Sequence, residues 1–204
     1  MGSIILLRHG ETDWNSEDRI QGWAPKGLND RGREQARAAG RHLADEYDVD
    51  RMIVSDLERT RETAEMVREG GVDCEPTFDE AWRERDFGVF QGFERDEVLE
   101  LRPRAAELES LTALDDIDNG EDRATVRERV EGAFEELLAT TDDETVLVVT
   151  HGGPIRIVLG HVKELEVEQT LRQHSPHNCG ISEVDVHERR LRRENETAES
   201  EFDG

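Results

Sequence analysis

The chain has 204 residues, enough for one sizeable hydrophobic core and slightly more than the usual length of a single domain. Its 50 Asp and Glu residues outweigh 26 Lys and Arg residues, which gives a net charge of −24. A field of that sign repels the phosphates of nucleic acids and the headgroups of anionic lipids, so we expect neither nucleic acid nor a membrane as a partner. Lys26 and Lys163 are the only lysines, and this acidic, lysine-poor composition is typical of salt-adapted cytosolic proteins. An acidic mesophile protein is the alternative, because charge constrains solubility and not source.

The N-terminal region shows no predicted targeting segment. Its apolar run, residues 3–7, is too short for a signal peptide, and no stretch of the chain reaches the length of a membrane span. We therefore expect a cytoplasmic protein in which Cys74 and Cys179 are reduced thiols.

Short apolar strands alternate with amphipathic helices in the first third of the chain. Residues 3–7 form a continuous apolar run, typical of a strand buried on both faces. A helix is predicted at about 31–47, a second short buried strand at 52–55, and a further helix at about 57–68.

The remaining elements follow a long acidic segment, residues 94–121, which is predicted to be a mostly helical insert. A helix is expected from about residue 123, and the sequence TVLVVT at 145–150 is the strongest predicted strand. Another helix is predicted to begin near Pro154. Residues 181–186 alternate between apolar and polar side chains, which predicts a final strand.

This alternation predicts an α/β fold, a three-layer α/β/α sandwich with a mainly parallel central sheet. We expect a single domain over residues 1–193 with the helical insert at about 94–121. Residues 194–204 are charged and lack periodicity, which predicts a flexible acidic tail. Parallel sheets bind ligands beyond the carboxyl ends of their strands.

Reactive polar residues follow three of the predicted apolar elements. Arg8 and His9 come directly after the first strand, Ser55 and Arg59 after the second, and His151 after the strand at 145–150. Guanidinium groups bind phosphate oxygens in bidentate fashion, and a neutral imidazole is a competent nucleophile toward phosphorus. If these strand ends are adjacent, two imidazoles and two guanidiniums meet in one pocket suited to a phosphoryl group.

The sequence RHGETDWN at residues 8–15 resembles the signature of the histidine phosphatase superfamily, in its phosphoglycerate mutase-like branch. The resemblance covers most of residues 3–157 apart from the insert. Later segments are similar to the remaining blocks of the family in the same order: QGWAPKGLNDRGREQA, SDLERTRETA, RERDFGVFQG and VVTHGGPIR. The segment HNCGISEV, from residue 177, resembles the closing segment of the family's small phosphatases.

The resemblance implies a phosphoglycerate mutase-like fold and a role for each matching residue. His9 corresponds to the phosphoryl acceptor, and Arg8, Arg59 and His151 correspond to residues that bind the transferring group. Glu84 corresponds to the proton donor, which protonates the leaving oxygen and then deprotonates the attacking water.

Five further residues are expected on the substrate side of the site. The resemblance implies that Asn15 contributes a side-chain amide and that Gln21 and Gly22 belong to a loop bordering the pocket. Gly152 directly follows His151 and is expected to contact the substrate, while Thr12 either contacts the phosphate or shapes the loop between His9 and Asn15.

A phosphohistidine can be discharged to water or onto a substrate hydroxyl, so the first step serves a phosphatase or a mutase. The acidic insert has Arg95, Arg102 and Arg104 as its only cations, whereas a mutase needs extra cations for a second phosphate and a carboxylate. This favours a phosphomonoesterase acting on a small phosphorylated metabolite. Fructose-2,6-bisphosphatase, α-ribazole phosphatase and broad-specificity phosphomonoesterase activities all fit this class.

Two other functions remain open at this point. The first is a phosphoglycerate mutase dependent on 2,3-bisphosphoglycerate, which would be its cofactor. The second, less favoured, is a non-catalytic module that binds phosphorylated ligands. We otherwise expect no cofactor and no metal, because arginine and imidazolium supply the positive charge and no HExxH, clustered Cys or EF-hand pattern is present. A small phosphorylated substrate is the expected partner, and a homodimer is compatible with the sequence.

Overall fold

The computed structural model describes residues 2–102, 106, 114, 117–166, 169–170 and 173–198. The strands are β1 (Ser3–Arg8), β2 (Arg51–Val54), β3 (Pro76–Phe78), β4 (Thr145–Thr150), β5 (Ile181–Asp185) and β6 (Arg190–Glu196). The helices are α1 (Asp13–Ser16), α2 (Asp30–Glu46), α3 (Glu58–Glu69), α4 (Arg95–Glu100), α5 (Arg123–Thr140) and α6 (Gly152–Val162). Short 3-10 turns lie at Glu80–Trp82 and Gly88–Phe90.

The six strands form one sheet in the order β3-β2-β4-β1-β5-β6. The first four strands of that order are mutually parallel, whereas β5 pairs antiparallel with β1 and β6 pairs antiparallel with β5. The predicted α/β fold with a mainly parallel sheet is confirmed.

Side chains alternate between the two faces of the sheet, and each face is covered by helices. Ile4 and Leu6 of β1 face a hydrophobic cluster with residues of α5 and α6, while Ile5 and Leu7 face a second cluster with residues of α2 and α3. This arrangement produces the three layers. No helix among the described residues is long and apolar enough to cross a lipid bilayer.

The predicted flexible tail at 194–204 is wrong at its start, because residues 194–196 belong to β6. Arg192 of this strand donates to Glu183 at 2.9 Å and to Asp185 at 2.5 Å. Ion pairs to β5 hold this strand in the sheet in place of apolar contacts. Its sequence therefore lacks the apolar alternation from which a strand is predicted. Residues 199–204 lie outside the described part of the chain.

Two further elements, α1 and β3, were not predicted, and both are only three or four residues long. Within the predicted helical insert, α4 and the turn at residues 118–120 are present, with Asn119 at a φ of 58°. Most of residues 103–116 fall outside the described part of the chain.

Candidate active site

The two imidazoles predicted to act together lie at the same edge of the sheet. β1 and β4 are neighbouring strands in which Arg8 pairs with Thr150, so His9 and His151 follow directly after paired positions. The His9 N–H donates to the carbonyl of Thr150 at 2.9 Å. The two ring centroids are 5.2 Å apart. The predicted adjacency of these strand ends is confirmed.

His9 is held in one tautomer within the protein interior. Its side chain is only 3% exposed, and its Nδ1–H donates to the carbonyl oxygen of Gly10 at 2.7 Å. Burial, followed by the charges of Arg59 and Arg8, lowers the pKa of His9 well below its usual value. The imidazole is therefore neutral at neutral pH, with the Nε2 lone pair free of a proton.

Two buried guanidiniums flank this imidazole. Arg8 donates to the carbonyl of Pro176 at 2.6 Å, whereas Arg59 donates to the carbonyl of Gly22 at 2.8 Å and to His9 Nε2 at 3.2 Å. Burial lowers the pKa of each guanidinium to about 10, so both are charged at neutral pH. Among the described residues, nothing accepts a hydrogen bond from Arg8 Nε or Arg59 Nη1, and both atoms are buried.

His151 is fully buried at the start of α6. Its Nε2 lies 2.8 Å from the hydroxyl oxygen of Ser55, while its Nδ1 is buried without a partner in the described part of the chain. Burial, followed by the charges of Arg59 and His9, lowers the pKa of His151 well below its usual value. This second imidazole is thus also neutral.

Glu84 lies against the first turn of α6. Its carboxylate accepts hydrogen bonds from the backbone N–H of Gly153 at 3.0 Å and of Arg85 at 2.9 Å. Its backbone carbonyl accepts from the indole of Trp23 at 2.7 Å and from Arg129 at 3.3 Å. Both the carboxylate and the backbone of this residue are therefore held in place.

Asn15 and Gln21 present amide groups to the cavity. The side-chain oxygen of Asn15 accepts from the N–H of Thr12 at 3.2 Å and from Asn178 at 3.3 Å, which leaves the Asn15 amide N–H groups for a ligand. Thr12 itself is fully buried, and its hydroxyl contacts the side-chain oxygens of Asn15 and Gln21. The predicted substrate contact from Thr12 is thus replaced by positioning of these two amides, because the hydroxyl caps α1.

Two glycines let backbone approach the cavity. Gly22 has a φ of +53°, and a Cβ there would lie 2.6 Å from the side chain of Gln91. Gly152 begins α6 beside Arg8, whose Nε would lie 3.7 Å from a Cβ at this glycine. A helix N-terminus adds partial positive charge next to the guanidinium.

These groups surround a cavity of about 180 Å³. Eight of the ten residues predicted for the site line it, and they are Arg8, His9, Asn15, Gln21, Gly22, Arg59, Glu84 and Gly152. His151 is fully buried beside these residues, with its ring next to that of His9. The predicted site residues are therefore gathered in one place.

Arg156, Ser175 and Pro176 also line the cavity but were not predicted. Arg156 lies one helical turn after Gly152 in α6. This spacing could have identified Arg156 as a site residue from the sequence. Its Nε donates to the carbonyl of His174 at 2.7 Å, and this is its only hydrogen bond to the residues that the structure describes. The terminal nitrogens of Arg156 are thus available to a ligand.

Arg19, a further cation at the cavity, is already neutralised. It pairs with Glu17 at 2.9 Å and with Glu94 at 3.1 Å, and it also donates to the carbonyl of Gly92 at 2.8 Å. These contacts hold Arg19 in the wall of the cavity, whereas the terminal nitrogens of Arg156 remain available.

Comparisons with known proteins identify relatives of this chain. The sequence model of the histidine phosphatase superfamily (branch 1) matches residues 4–197. Phosphoglycerate mutase-like protein 4 of Arabidopsis thaliana is 36% identical over 155 residues, covering 75% of this chain and 67% of that protein. The probable phosphoglycerate mutase GpmB of Salmonella arizonae is 34% identical over 191 residues, covering 92% of this chain and 86% of that protein.

A solved structure shares the whole fold. The mycobacterial glucosyl-3-phosphoglycerate phosphatase Rv2419c, in complex with VO3, superposes with a TM-score of 0.81 at 28% sequence identity. The superposition covers 96% of this chain and 99% of that one. The arrangement of strands and helices around the cavity is therefore shared with that phosphatase.

Proposed function

The chain belongs to branch 1 of the histidine phosphatase superfamily, and from this membership we propose that it is a phosphomonoesterase acting through a phosphohistidine on His9. Its substrate is a small phosphorylated metabolite. The relatives are named as mutases or phosphatases, and both reactions begin with transfer of a phosphoryl group.

The observation that carries the proposal is a set of three buried nitrogens that lack a partner in the described residues: Arg8 Nε, Arg59 Nη1 and His151 Nδ1. A buried donor without an acceptor costs about 1–3 kcal/mol, and more when it is charged. Two such charged donors next to His9, together with the unpartnered ring nitrogen of His151, indicate a ligand with several acceptor oxygens. A phosphoryl group offers three, and arginine binds it with particular strength.

The first half of the reaction uses His9 and Glu84. The Nε2 lone pair of His9 forms a bond to phosphorus while the bond between phosphorus and the ester oxygen breaks. Glu84 gives a proton to that oxygen, which leaves as an alcohol. Arg8 and Arg59 stabilise the charge on the phosphoryl oxygens as the transfer proceeds.

The second half returns the enzyme to its starting state. A water molecule gives a proton to Glu84 and attacks phosphorus, and the bond to His9 Nε2 breaks. Inorganic phosphate leaves, and His9 recovers its neutral tautomer through the Nδ1–H bond to Gly10. One carboxyl group thus serves as acid and then as base.

The charges around the cavity favour water over a second phosphorylated ligand as the acceptor. Beyond Arg8 and Arg59, the described cavity cations are Arg19, which is paired with two glutamates, and Arg156. A mutase must bind a second phosphate and a carboxylate, for which Arg156 alone is a poor match. A phosphoglycerate mutase remains the second candidate because two relatives carry mutase names.

The test is a rapid-quench experiment with a ³²P-labelled phosphomonoester. We expect wild-type protein to accumulate an acid-labile, alkali-stable phosphoenzyme and to release phosphate, and a His9→Ala variant to do neither. A panel of esters, including 3-phosphoglycerate with and without 2,3-bisphosphoglycerate, then separates hydrolysis from isomerisation.

His187→Ala is the matched control, because His187 lies in the turn between β5 and β6 and lines no part of the cavity. It should turn over at the parent rate. Turnover by His9→Ala at the parent rate would contradict the proposal. Binding of esters without turnover by wild-type protein would instead favour the non-catalytic module.

The mechanism requires no metal, because guanidinium groups supply the charge that a divalent ion supplies in other phosphatases. We therefore expect full activity after treatment with EDTA. Complete loss of activity, restored by a divalent ion, would contradict this part of the proposal.

A further inference from the structure

We propose that Ser55 is a positioning residue that fixes the tautomer of His151, so that His151 presents an Nδ1–H to the transferring phosphoryl group. This inference rests on the proposed function, which it extends to a residue that touches neither His9 nor the ester. The contact that carries it is the one of 2.8 Å between Ser55 Oγ and His151 Nε2.

The sheet holds both partners of this contact. Ser55 directly follows β2, whose neighbour in the sheet is β4, and the Ser55 N–H donates to the carbonyl of Val149 at 3.0 Å. The carbonyl of Ser55 accepts from the hydroxyl of Thr60 at 2.7 Å. Ser55, Thr60 and His151 are all fully buried. Water therefore does not compete for the hydroxyl, and the backbone sets its position.

Counting protons gives the direction of the hydrogen bond. His151 is neutral because burial lowers its pKa, so only one of its two ring nitrogens carries a proton. The hydroxyl of Ser55 has this imidazole as its only partner in the described part of the chain. If Nε2 carried the proton, both the buried hydroxyl hydrogen and the Nδ1 lone pair would lack a partner. With the proton on Nδ1, only the Nδ1–H lacks one, and a bound phosphoryl oxygen supplies it. The Ser55 hydroxyl thus donates to Nε2, and the proton of His151 resides on Nδ1.

This tautomer decides what His151 offers to an anion. Nδ1 is the nitrogen that lacks a partner among the described residues, and the ring lies beside His9. An N–H at this position attracts a phosphoryl oxygen, whereas a lone pair there repels it. When a bound dianion draws a second proton onto His151, the serine hydroxyl can rotate and accept from Nε2. A hydroxyl serves both states, which neither a methyl group nor a fixed donor could do.

The experiment compares Ser55→Ala with wild-type protein by ¹⁵N chemical shifts of the histidine rings, with His151 assigned from a His151→Gln variant. We expect the Nδ1–H tautomer in wild-type protein and a mixture enriched in Nε2–H in Ser55→Ala. We expect kcat/KM for a phosphomonoester to fall by about 10- to 100-fold, and the Kd of inorganic phosphate to rise by about the same factor.

Thr60→Val is the matched control. It removes the buried hydrogen bond to the carbonyl of Ser55 and leaves the hydroxyl of Ser55 untouched. We expect it to keep the Nδ1–H tautomer and to change kcat/KM by less than about threefold. If Ser55→Ala fails to fold, Ser55→Cys retains the volume with a weaker donor and should show a partial shift in both readouts.

An unchanged tautomer, or an unchanged Kd of phosphate, in the folded Ser55 variant overturns the inference. Both readouts are independent of turnover. A separate outcome is a wild-type protein that hydrolyses no ester, while Ser55→Ala still shows the tautomer shift and weaker phosphate binding. That result would refute the proposed function and retain the role of Ser55.

Discussion

At the scale of single residues, burial sets the protonation state of His9, the proposed nucleophile. A histidine in water carries a proton below about pH 6.5 and then has no lone pair on Nε2. Here burial, Arg59 and Arg8 all act in the same direction on the pKa of His9. Both arginines also favour a bound dianion, so the charges proposed to attract the substrate also keep Nε2 of His9 free of a proton.

We accordingly expect His9 to remain neutral as the pH falls from about 7.5 to 5.5. The sign follows from a pKa lowered below its usual value, because protonation then requires more acid. The measurement is a ¹H–¹³C NMR titration of the His9 ring with a histidine-containing peptide in the same tube. A His9 resonance that titrates together with the peptide would contradict the prediction.

Arg156 is a further cavity residue to be tested at this scale, because its terminal nitrogens are available to a ligand. Replacement by Met should lower kcat/KM for 3-phosphoglycerate by about 10- to 100-fold, because a hydrogen bond to a charged group is lost. Glycerol 3-phosphate carries a hydroxymethyl group in place of the carboxylate, so its kcat/KM should fall by less than about threefold. The two esters are assayed in parallel as phosphate release.

Arg19→Met is the control for that variant, because Arg19 lines the same cavity but is paired with Glu17 and Glu94. It should affect both esters equally. Equal losses with Arg156→Met would show that Arg156 acts through its bond to the carbonyl of His174 instead of through the substrate.

Sequence reasoning located those site residues that directly follow a strand. Arg8, His9 and His151 could be placed together because parallel neighbouring strands end at the same edge. Glu84 has no such signal, and only the resemblance singled it out among 50 acidic residues. Thr12 was misassigned because whether its hydroxyl faces a cavity or caps a helix depends on the path of the loop.

Close packing between helices is the main feature that sequence patterns leave open at the scale of elements. Gly40 of α2 packs against α3, and a Cβ there would lie 2.3 Å from the carbonyl oxygen of Val67. Gly132 of α5 is an exposed glycine in a helix interior, and a Cβ there would meet no atom within 4 Å. Their sequence contexts do not distinguish these two glycines.

Gly132→Ala should therefore raise the free energy of unfolding by about 0.5–1 kcal/mol, because alanine loses less backbone entropy in a helix. Gly40→Ala gains the same propensity but must push α2 and α3 apart, so we expect net destabilisation of about 1–3 kcal/mol. Urea unfolding measures both. Equal changes in the two variants would mean that helix packing at Gly40 tolerates a methyl group.

β6 is a strand that the sequence pattern did not predict. Five of the seven residues in its sequence RLRRENE are charged, yet it extends the sheet because Arg192 pairs with two carboxylates of β5. Which charges pair across a ladder depends on register, and register is a property of the folded sheet. Long apolar strands such as β4 need no such partner, which is why their bounds could be predicted.

Charge is distributed unevenly at the scale of the whole molecule. The chain has a net charge of −24, while the cavity gathers Arg8, Arg59 and Arg156 around a neutral imidazole. An approaching dianion is thus repelled at long range and attracted only near the cavity. Salt shortens the range of the repulsion and leaves the buried contacts less affected.

The same imbalance predicts how stability responds to salt. The 26 cations can pair with at most 26 of the 50 carboxylates, so 24 negative charges repel one another without compensation. Raising NaCl from about 0.01 to 1 M shortens the Debye length from about 30 Å to about 3 Å, which screens this repulsion together with the surface ion pairs. Exposed ion pairs contribute only about 0–1 kcal/mol each.

The repulsion between like charges therefore dominates, and we expect the Tm to rise by about 5 °C, or roughly 1–2 kcal/mol in the free energy of unfolding. Sucrose at matched osmolality controls for preferential exclusion, and a Tm that falls with salt would mean that the ion pairs outweigh the excess charge.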